Sequence, residues 1–146
     1  MKQRRMLAAL IVASALIVTS ALAAPAIAKT INGDNRANVL VGTNRADIIH
    51  GRAGGDTLRG KGGPDRLYGE EGYDTIKGGR GEDRISGGDG RDILRGGKGN
   101  DRISSAGLQP DVVDCGRGRK DLARVDPTDT VKNCERVRTE EPTAAP

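Results

Sequence analysis

Seven aspartates stand nine residues apart along one stretch of the chain: Asp47, Asp56, Asp65, Asp74, Asp83, Asp92 and Asp101, with Asn38 one interval earlier. Carboxylates repeated in this way suit two kinds of chemistry. Two of them at a suitable separation can do acid–base work, as in glycoside hydrolysis. A whole column offers hard oxygen donors to a cation of the calcium type, which takes six to eight oxygens at about 2.3–2.6 Å. Acid–base work needs two members set apart from the rest, and nothing in the surrounding sequence marks any two. The column therefore reads as a cation site.

Other chemistry-bearing groups are few. His50 is the only histidine, at an outward-facing position of the pattern described next. Ser86, Ser104 and Ser105 have no His–Asp partner in view, and a nucleophile without a positioned base is inert. No catalytic residues are expected.

The elements that must position the aspartates follow the same interval. From Gly33 to Ser104 the chain divides into eight blocks of nine without insertion. Position one is glycine in all of them, and position four is glycine in the last six: Gly54, Gly63, Gly72, Gly81, Gly90 and Gly99. Position six is the acid column. Position eight is Leu or Ile throughout: Leu40, Ile49, Leu58, Leu67, Ile76, Ile85, Leu94 and Ile103. Glycine takes positive φ and lets another backbone approach closely, so a six-residue turn with glycines at positions one and four can curl its carbonyls inward. Positions seven to nine read as a short strand. Side chains alternate along a strand, which puts positions six and eight on the inner side and seven and nine outside.

This pattern resembles the G-G-x-G-x-D-x-U-x nonapeptide of the RTX (repeats-in-toxin) or hemolysin-type calcium-binding proteins. Residues 78–104 match it in three successive blocks, and the resemblance covers residues 33–104, about half of the chain. It implies an all-β fold, a right-handed parallel β-roll (β-solenoid) of nonapeptide repeats, with Ca2+ as its ligand. Two blocks would make one coil, with coils stacked at about 4.8 Å. The resemblance places each ion between turns two blocks apart, each giving its Asp and some carbonyls. Asp47 would stack with Asp65, Asp65 with Asp83, Asp83 with Asp101, Asp56 with Asp74, and Asp74 with Asp92. A weaker pair would join Asn38 to Asp56. That makes up to six ions, five between two aspartates. The carbonyls expected to contribute belong to Gly78, Gly79, Arg80, Gly81, Gly87, Gly88, Asp89, Gly90, Gly96, Gly97, Lys98 and Gly99. The aliphatic core is thin, and stacked carboxylates repel one another without cations between them. The calcium-free chain is therefore expected to be largely unfolded.

Two departures from the pattern matter. Arg36 and Arg45 replace the fourth-position glycine of the first two blocks, whose turns are expected to bind weakly or to serve as an N-terminal cap. Blocks one to five lack the second glycine, having Asp34, Thr43, Arg52, Lys61 and Glu70 there.

The flanks carry different signals. Lys2, Arg4 and Arg5 precede the apolar run from Met6 to Leu22 and the small-residue site ending at Ala28, the order of a secretory signal peptide. Residues 1–28 are expected to be removed, leaving a secreted protein, free or attached to the cell surface, with no membrane span. Their loss takes the formal charge from +4 to +1, which gives little reason to expect a nucleic-acid partner. Cys115 and Cys134 lie outside the repeats, and an even count in an exported chain suggests a disulfide. Closing that loop is worth about 3 kcal/mol on the chain-entropy account. The β-roll is expected over residues 29–104, a disulfide-linked C-terminal cap over 105–138 and a disordered tail over 139–146; within the cap, residues 115–122 read as a ninth block carrying one extra residue, and 129–131 and 134–137 as further short strands.

The outward positions are also ordered. Arg66, Arg84 and Arg102 recur at position seven of the even blocks, and Arg59, Lys77 and Arg95 at position nine of the odd ones. Such columns can balance the inward carboxylates and keep exposed strands from pairing with other chains. They can also meet a polyanion such as an anionic cell-wall polymer.

Overall fold

The computed structural model describes residues 28–105 and 107–140. The expected leader up to Ile27 and the tail from Glu141 onward lie outside the described residues. Within them are thirteen short strands: β1 (Lys29–Asn32), β2 (Val39–Val41), β3 (Asp47–Ala53), β4 (Thr57–Gly62), β5 (Arg66–Glu71), β6 (Thr75–Arg80), β7 (Arg84–Asp89), β8 (Ile93–Lys98), β9 (Arg102–Ser105), β10 (Val112–Arg117), β11 (Leu122–Val125), β12 (Thr130–Lys132) and β13 (Arg136–Thr139).

Odd-numbered strands form one parallel sheet and even-numbered strands the other, each in sequence order. The chain therefore alternates between two sheets and returns to each one after every second block, which is a parallel β-solenoid. Its register is the one the nine-residue interval demands. Leu67 pairs with Ile49 and Ile85, and Ile76 with Leu58 and Leu94. The core is two facing files of these eighth-position side chains, one from each sheet: Ile49, Leu58, Leu67, Ile76, Ile85, Leu94 and Ile103 are buried, Val113, Cys115, Ala123 and Val125 extend them, and Leu40 packs against them half-exposed.

Three features differ from the pattern expected from sequence. First, the strands are longer. β6 runs from Thr75 through the glycine pair to Arg80, so the bend is confined to about three residues. The reason is that the ladder continues across positions two and three, as Gly79–Gly97 and Arg80–Lys98 do. Second, a strand precedes the first block: β1 aligns Lys29 with Asp47 and Ile31 with Ile49. Third, the ninth block and the short strands expected within the cap are present, and they carry both sheets on past Ser104 instead of closing them. Val113 pairs with Leu94, Ala123 with Ile103, Val131 with Val113 and Val137 with Ala123.

The glycines do two separate jobs. Positive φ occurs at positions two and four, for example Gly79 (121°) and Gly81 (134°). Position one is not in that region. Its glycine is required by packing, because a Cβ on Gly78 would overlap the Asp83 carboxylate and the carbonyl oxygen of Gly96 on the next coil. At position two of three earlier turns, Arg52, Lys61 and Glu70 hold φ of 79–80° without glycine.

Candidate metal centre in the stacked turns

Every aspartate of the column points inward. Asp47, Asp56, Asp65, Asp74, Asp83, Asp92 and Asp101 are each no more than 1% exposed. Each stacked pair expected from the sequence is joined directly. The backbone amide of one aspartate donates to Oδ1 of the aspartate on the next coil: Asp47 to Asp65 (2.8 Å), Asp56 to Asp74 (2.7 Å), Asp65 to Asp83 (2.9 Å), Asp74 to Asp92 (2.8 Å) and Asp83 to Asp101 (2.9 Å). Asn38 donates to Asp56 in the same way at 2.7 Å.

The second carboxylate oxygen is the informative one. Oδ2 is buried without a hydrogen-bond partner in Asp56, Asp65, Asp74, Asp83, Asp92 and Asp101. It lies against the position-one glycine of its own turn. A buried carboxylate oxygen without a partner is costly, and the groups respond accordingly. Burial pushes the carboxyls of Asp65, Asp74, Asp83 and Asp92 up to about 6, and those of Asp101 and Asp111 to about 7, although the amide hydrogen bonds pull the other way. Neighbouring carboxylates add to the rise, Asp83 and Asp121 in the case of Asp101.

Carbonyl oxygens complete the surroundings. Those of Lys61, Gly63, Glu70, Gly72, Gly79 and Gly81 lie where a Cβ on the glycine of the following coil would sit. The carbonyl of Gly96 rises in the same manner beneath Gly78. Glycine columns thus let main-chain oxygens run between coils, and the position-one carbonyls of Gly69, Gly78, Gly87 and Gly96 come to the same spots as the Oδ2 atoms of Asp56, Asp65, Asp74 and Asp83. The third-position carbonyls of Asp89 and Lys98 are already engaged, accepting from the amides of Gly72 and Gly81 at 2.8 Å each. Among the described residues there is no cluster of three or more His, Cys, Asp or Glu side chains of metal-holding geometry. The donor set is one carboxylate oxygen per turn plus carbonyls, which is hard oxygen chemistry. It fits calcium and lacks the thiolate and imidazole donors of a zinc site.

The first two turns are built differently. The amide and Oγ1 of Thr43 both donate to Asp47 Oδ2, at 2.6 and 2.9 Å. Asn38 Oδ1 accepts from the amide of Asp34 at 2.7 Å, and its Nδ2 donates back to Asp34 Oδ1 at 3.0 Å. These turns are closed by their own side chains, and their sixth-position oxygens are satisfied.

At the other end the column continues further than the nonapeptide does. Asp92 donates to Asp111 Oδ1 and Asp101 to Asp121 Oδ1, both at 2.7 Å. Both new aspartates leave Oδ2 buried and unpartnered. The separations are 19 and 20 residues instead of 18, so a strict nine-residue search passes over them. The shorter signal of an acid two residues before an aliphatic residue is present in Asp111-Val112-Val113 and Asp121-Leu122-Ala123.

Cys115 and Cys134 are bonded, with S–S of 1.98 Å. Cys115 takes position one, pairing in space with Gly96. The turn that follows is one residue longer, and the Asp121 carboxylate lies against Gly118 instead. This leaves room for a buried sulfur where a repeat would need glycine. His50 Nδ1 contacts Glu70 Oε1 at 2.7 Å and its ring stacks on Tyr68 at 4.8 Å. Ser105 Oγ donates to Asp129 Oδ2 at 2.7 Å. No helix of the described residues is long and apolar enough to cross a membrane.

A parallel solenoid with inward acids on glycine turns defines the class of calcium-binding β-rolls. The family profile of the RTX calcium-binding nonapeptide repeat (4 copies) matches residues 32–67, 59–94 and 68–103. The chain belongs to this family of hemolysin-type calcium-binding repeat proteins, whose repeats are typically a non-catalytic structural module. No curated protein and no solved structure matches the chain significantly.

Proposed function

We propose that this is a secreted, non-catalytic calcium-binding protein whose roll folds around the ions it binds. The observation that carries the reading is the file of buried, unpartnered Oδ2 atoms from Asp56 to Asp101. A divalent cation between stacked turns would satisfy each of them, offset the repulsion along the column and lower the raised proton affinity. Ions are assigned to the five all-Asp pairs within the repeats, with Asp47–Asp65 the weakest of the five because Thr43 already donates to Asp47 Oδ2. The Asn38–Asp56 pair is the sixth and weakest, since the side chains of its first turn satisfy each other. The same argument extends the series to Asp92–Asp111 and Asp101–Asp121. Export fits the design in two ways. Millimolar extracellular calcium suits weak modular sites, and a disulfide persists outside the cell. A structural or cell-surface role follows.

The test is circular dichroism and isothermal titration on the chain lacking residues 1–28. A β signal that grows with calcium and disappears in chelator is expected. A full β signal in excess chelator, or no heat with millimolar Ca2+, would overturn the reading.

A further inference from the structure

At position three, the outward charges of the two sheets differ in sign. On the even-numbered sheet, Arg59, Lys77 and Arg95 form one column. Arg80, Lys98 and Arg117 form a second, in register on β6, β8 and β10. Between the columns, position two is Gly79, Gly97 and Gly116, so the floor carries no side chains. The result is a groove of about 580 Å³, with Arg59, Lys61, Lys77, Arg80, Lys98 and Arg117 in its lining and no carboxylate or aromatic residue. None of these six cations makes an ion pair among the described residues. At position three of the odd-numbered sheet stand Glu71 and Asp89 instead. That sheet has a cation column of its own, Arg66, Arg84 and Arg102 at position seven, but acids stand where the even-numbered sheet has its second wall.

We propose that this glycine-floored groove binds a linear phosphodiester polymer of the polyol-phosphate kind, laid along the roll axis across successive coils. Cations repeat up each wall at the coil spacing of about 4.8 Å, and arginine forks match phosphate oxygens. An extended chain with regularly repeated single charges can meet both walls, and the bare floor admits its backbone. A nucleic acid strand is a poorer match, because sequence-tolerant single-strand binding draws on aromatic stacking and the groove offers none. The inference rests on the calcium-folded reading, since the walls exist only while the coils are stacked.

The experiment uses the secreted chain in millimolar calcium, with its fold followed by circular dichroism in the same samples. Binding to purified poly(glycerol phosphate) is measured by titration at several salt concentrations. The triple variant Arg80→Gln, Lys98→Gln, Arg117→Gln is expected to lose at least about tenfold in affinity and to flatten the salt dependence. A control triple, Arg66→Gln, Arg84→Gln, Arg102→Gln, removes the same charge from the other sheet and is expected to stay within about twofold. Equal losses in both triples would overturn the groove by showing that only net charge matters. So would no binding by the folded wild-type chain, or tighter binding to oligothymidylate than to the polyol phosphate. If the groove triple alone failed to fold, the double variant Lys98→Gln, Arg117→Gln would replace it. A loss of at least about fivefold there supports the groove, and unchanged affinity in the folded variant overturns it. Binding that persists in chelator with an intact β signal would sink the calcium reading and leave the groove standing.

Discussion

The backbone amide of Asp83 donates to Oδ1 of Asp101 at 2.9 Å, and Oδ2 of the same carboxylate is buried with nothing to accept from. One oxygen of each aspartate thus stitches coil to coil, and the other is left for a cation. The two roles separate by mutation. Asp101→Asn keeps an acceptor for the Asp83 amide and removes the charge. Asp101→Ala removes both. The calcium concentration at half-folding is expected to rise by about tenfold in the first and further in the second, since a lost buried hydrogen bond adds about 1–3 kcal/mol. Equal midpoints for wild type and Asp101→Asn, read by circular dichroism, would separate this carboxylate from calcium.

Acid should compete with calcium. The buried carboxyls titrate at about 6 to 7 in the calcium-free roll, against the ordinary 3.8. Between these limits the folded calcium-free state holds more protons than the unfolded chain. Its stability is therefore greatest below pH 4 and falls as pH rises toward 7. Calcium must outcompete protons only where the unfolded, calcium-free chain holds them, near the ordinary carboxylate value. The calcium midpoint is therefore expected to change by less than about twofold between pH 7.5 and 5.5 and to rise steeply as pH falls toward 4. A midpoint unchanged at pH 4 would contradict the assignment, and one already raised tenfold at pH 5.5 would show a calcium-free roll that is folded and protonated.

Glycine at position one and glycine at position two should behave differently. Gly78→Ala drives a Cβ into the Asp83 carboxylate and the Gly96 carbonyl, and overpacking of this sort costs about 1–3 kcal/mol. Arg52 already sits at a φ of 79°, which costs a non-glycine residue about 1–2 kcal/mol. Glycine's greater freedom in the unfolded chain offsets part of that. Arg52→Gly is therefore expected to raise stability by about 0.5 kcal/mol. Thermal unfolding in saturating calcium checks both, and the signs should be opposite.

The Cys115–Cys134 bond ties β10 to the segment leading into β13. Replacing both residues with alanine is expected to cost about 3 kcal/mol. Hydrogen exchange should localise the loss to residues 112–139 while β4 to β8 keep their protection. Uniform deprotection along the roll would show that the bond supports the fold as a whole.

Much of this was legible before any coordinates. The interval from Asp47 to Asp101 determines the register, because a one-residue slip would turn Leu67 or Ile76 outward. Inward aspartates and the stacked pairs followed from the same count. Two things escaped. Lys29 and Ile31 lack the repeat's glycines, and only their pairing with Asp47 and Ile49 reveals them as strand. Asp111 and Asp121 fall after added residues that shift the count but not the ladder. A nine-residue pattern reports turn geometry, whereas a β-ladder tolerates any turn that returns the strand to its place. The third-position cation column was hidden for another reason. Arg80, Lys98 and Arg117 occupy a position the repeat leaves free, and their column emerges only when alternate blocks are laid side by side.

Thr43 closing on Asp47 and Asp34 closing on Asn38 make the first coil self-sufficient in hydrogen bonds. Its turns keep their shape without an ion to fill them, whereas every turn from Asp56 to Asp101 leaves one oxygen for a cation. The roll is thus graded along its length, with a calcium-indifferent beginning and a calcium-dependent middle.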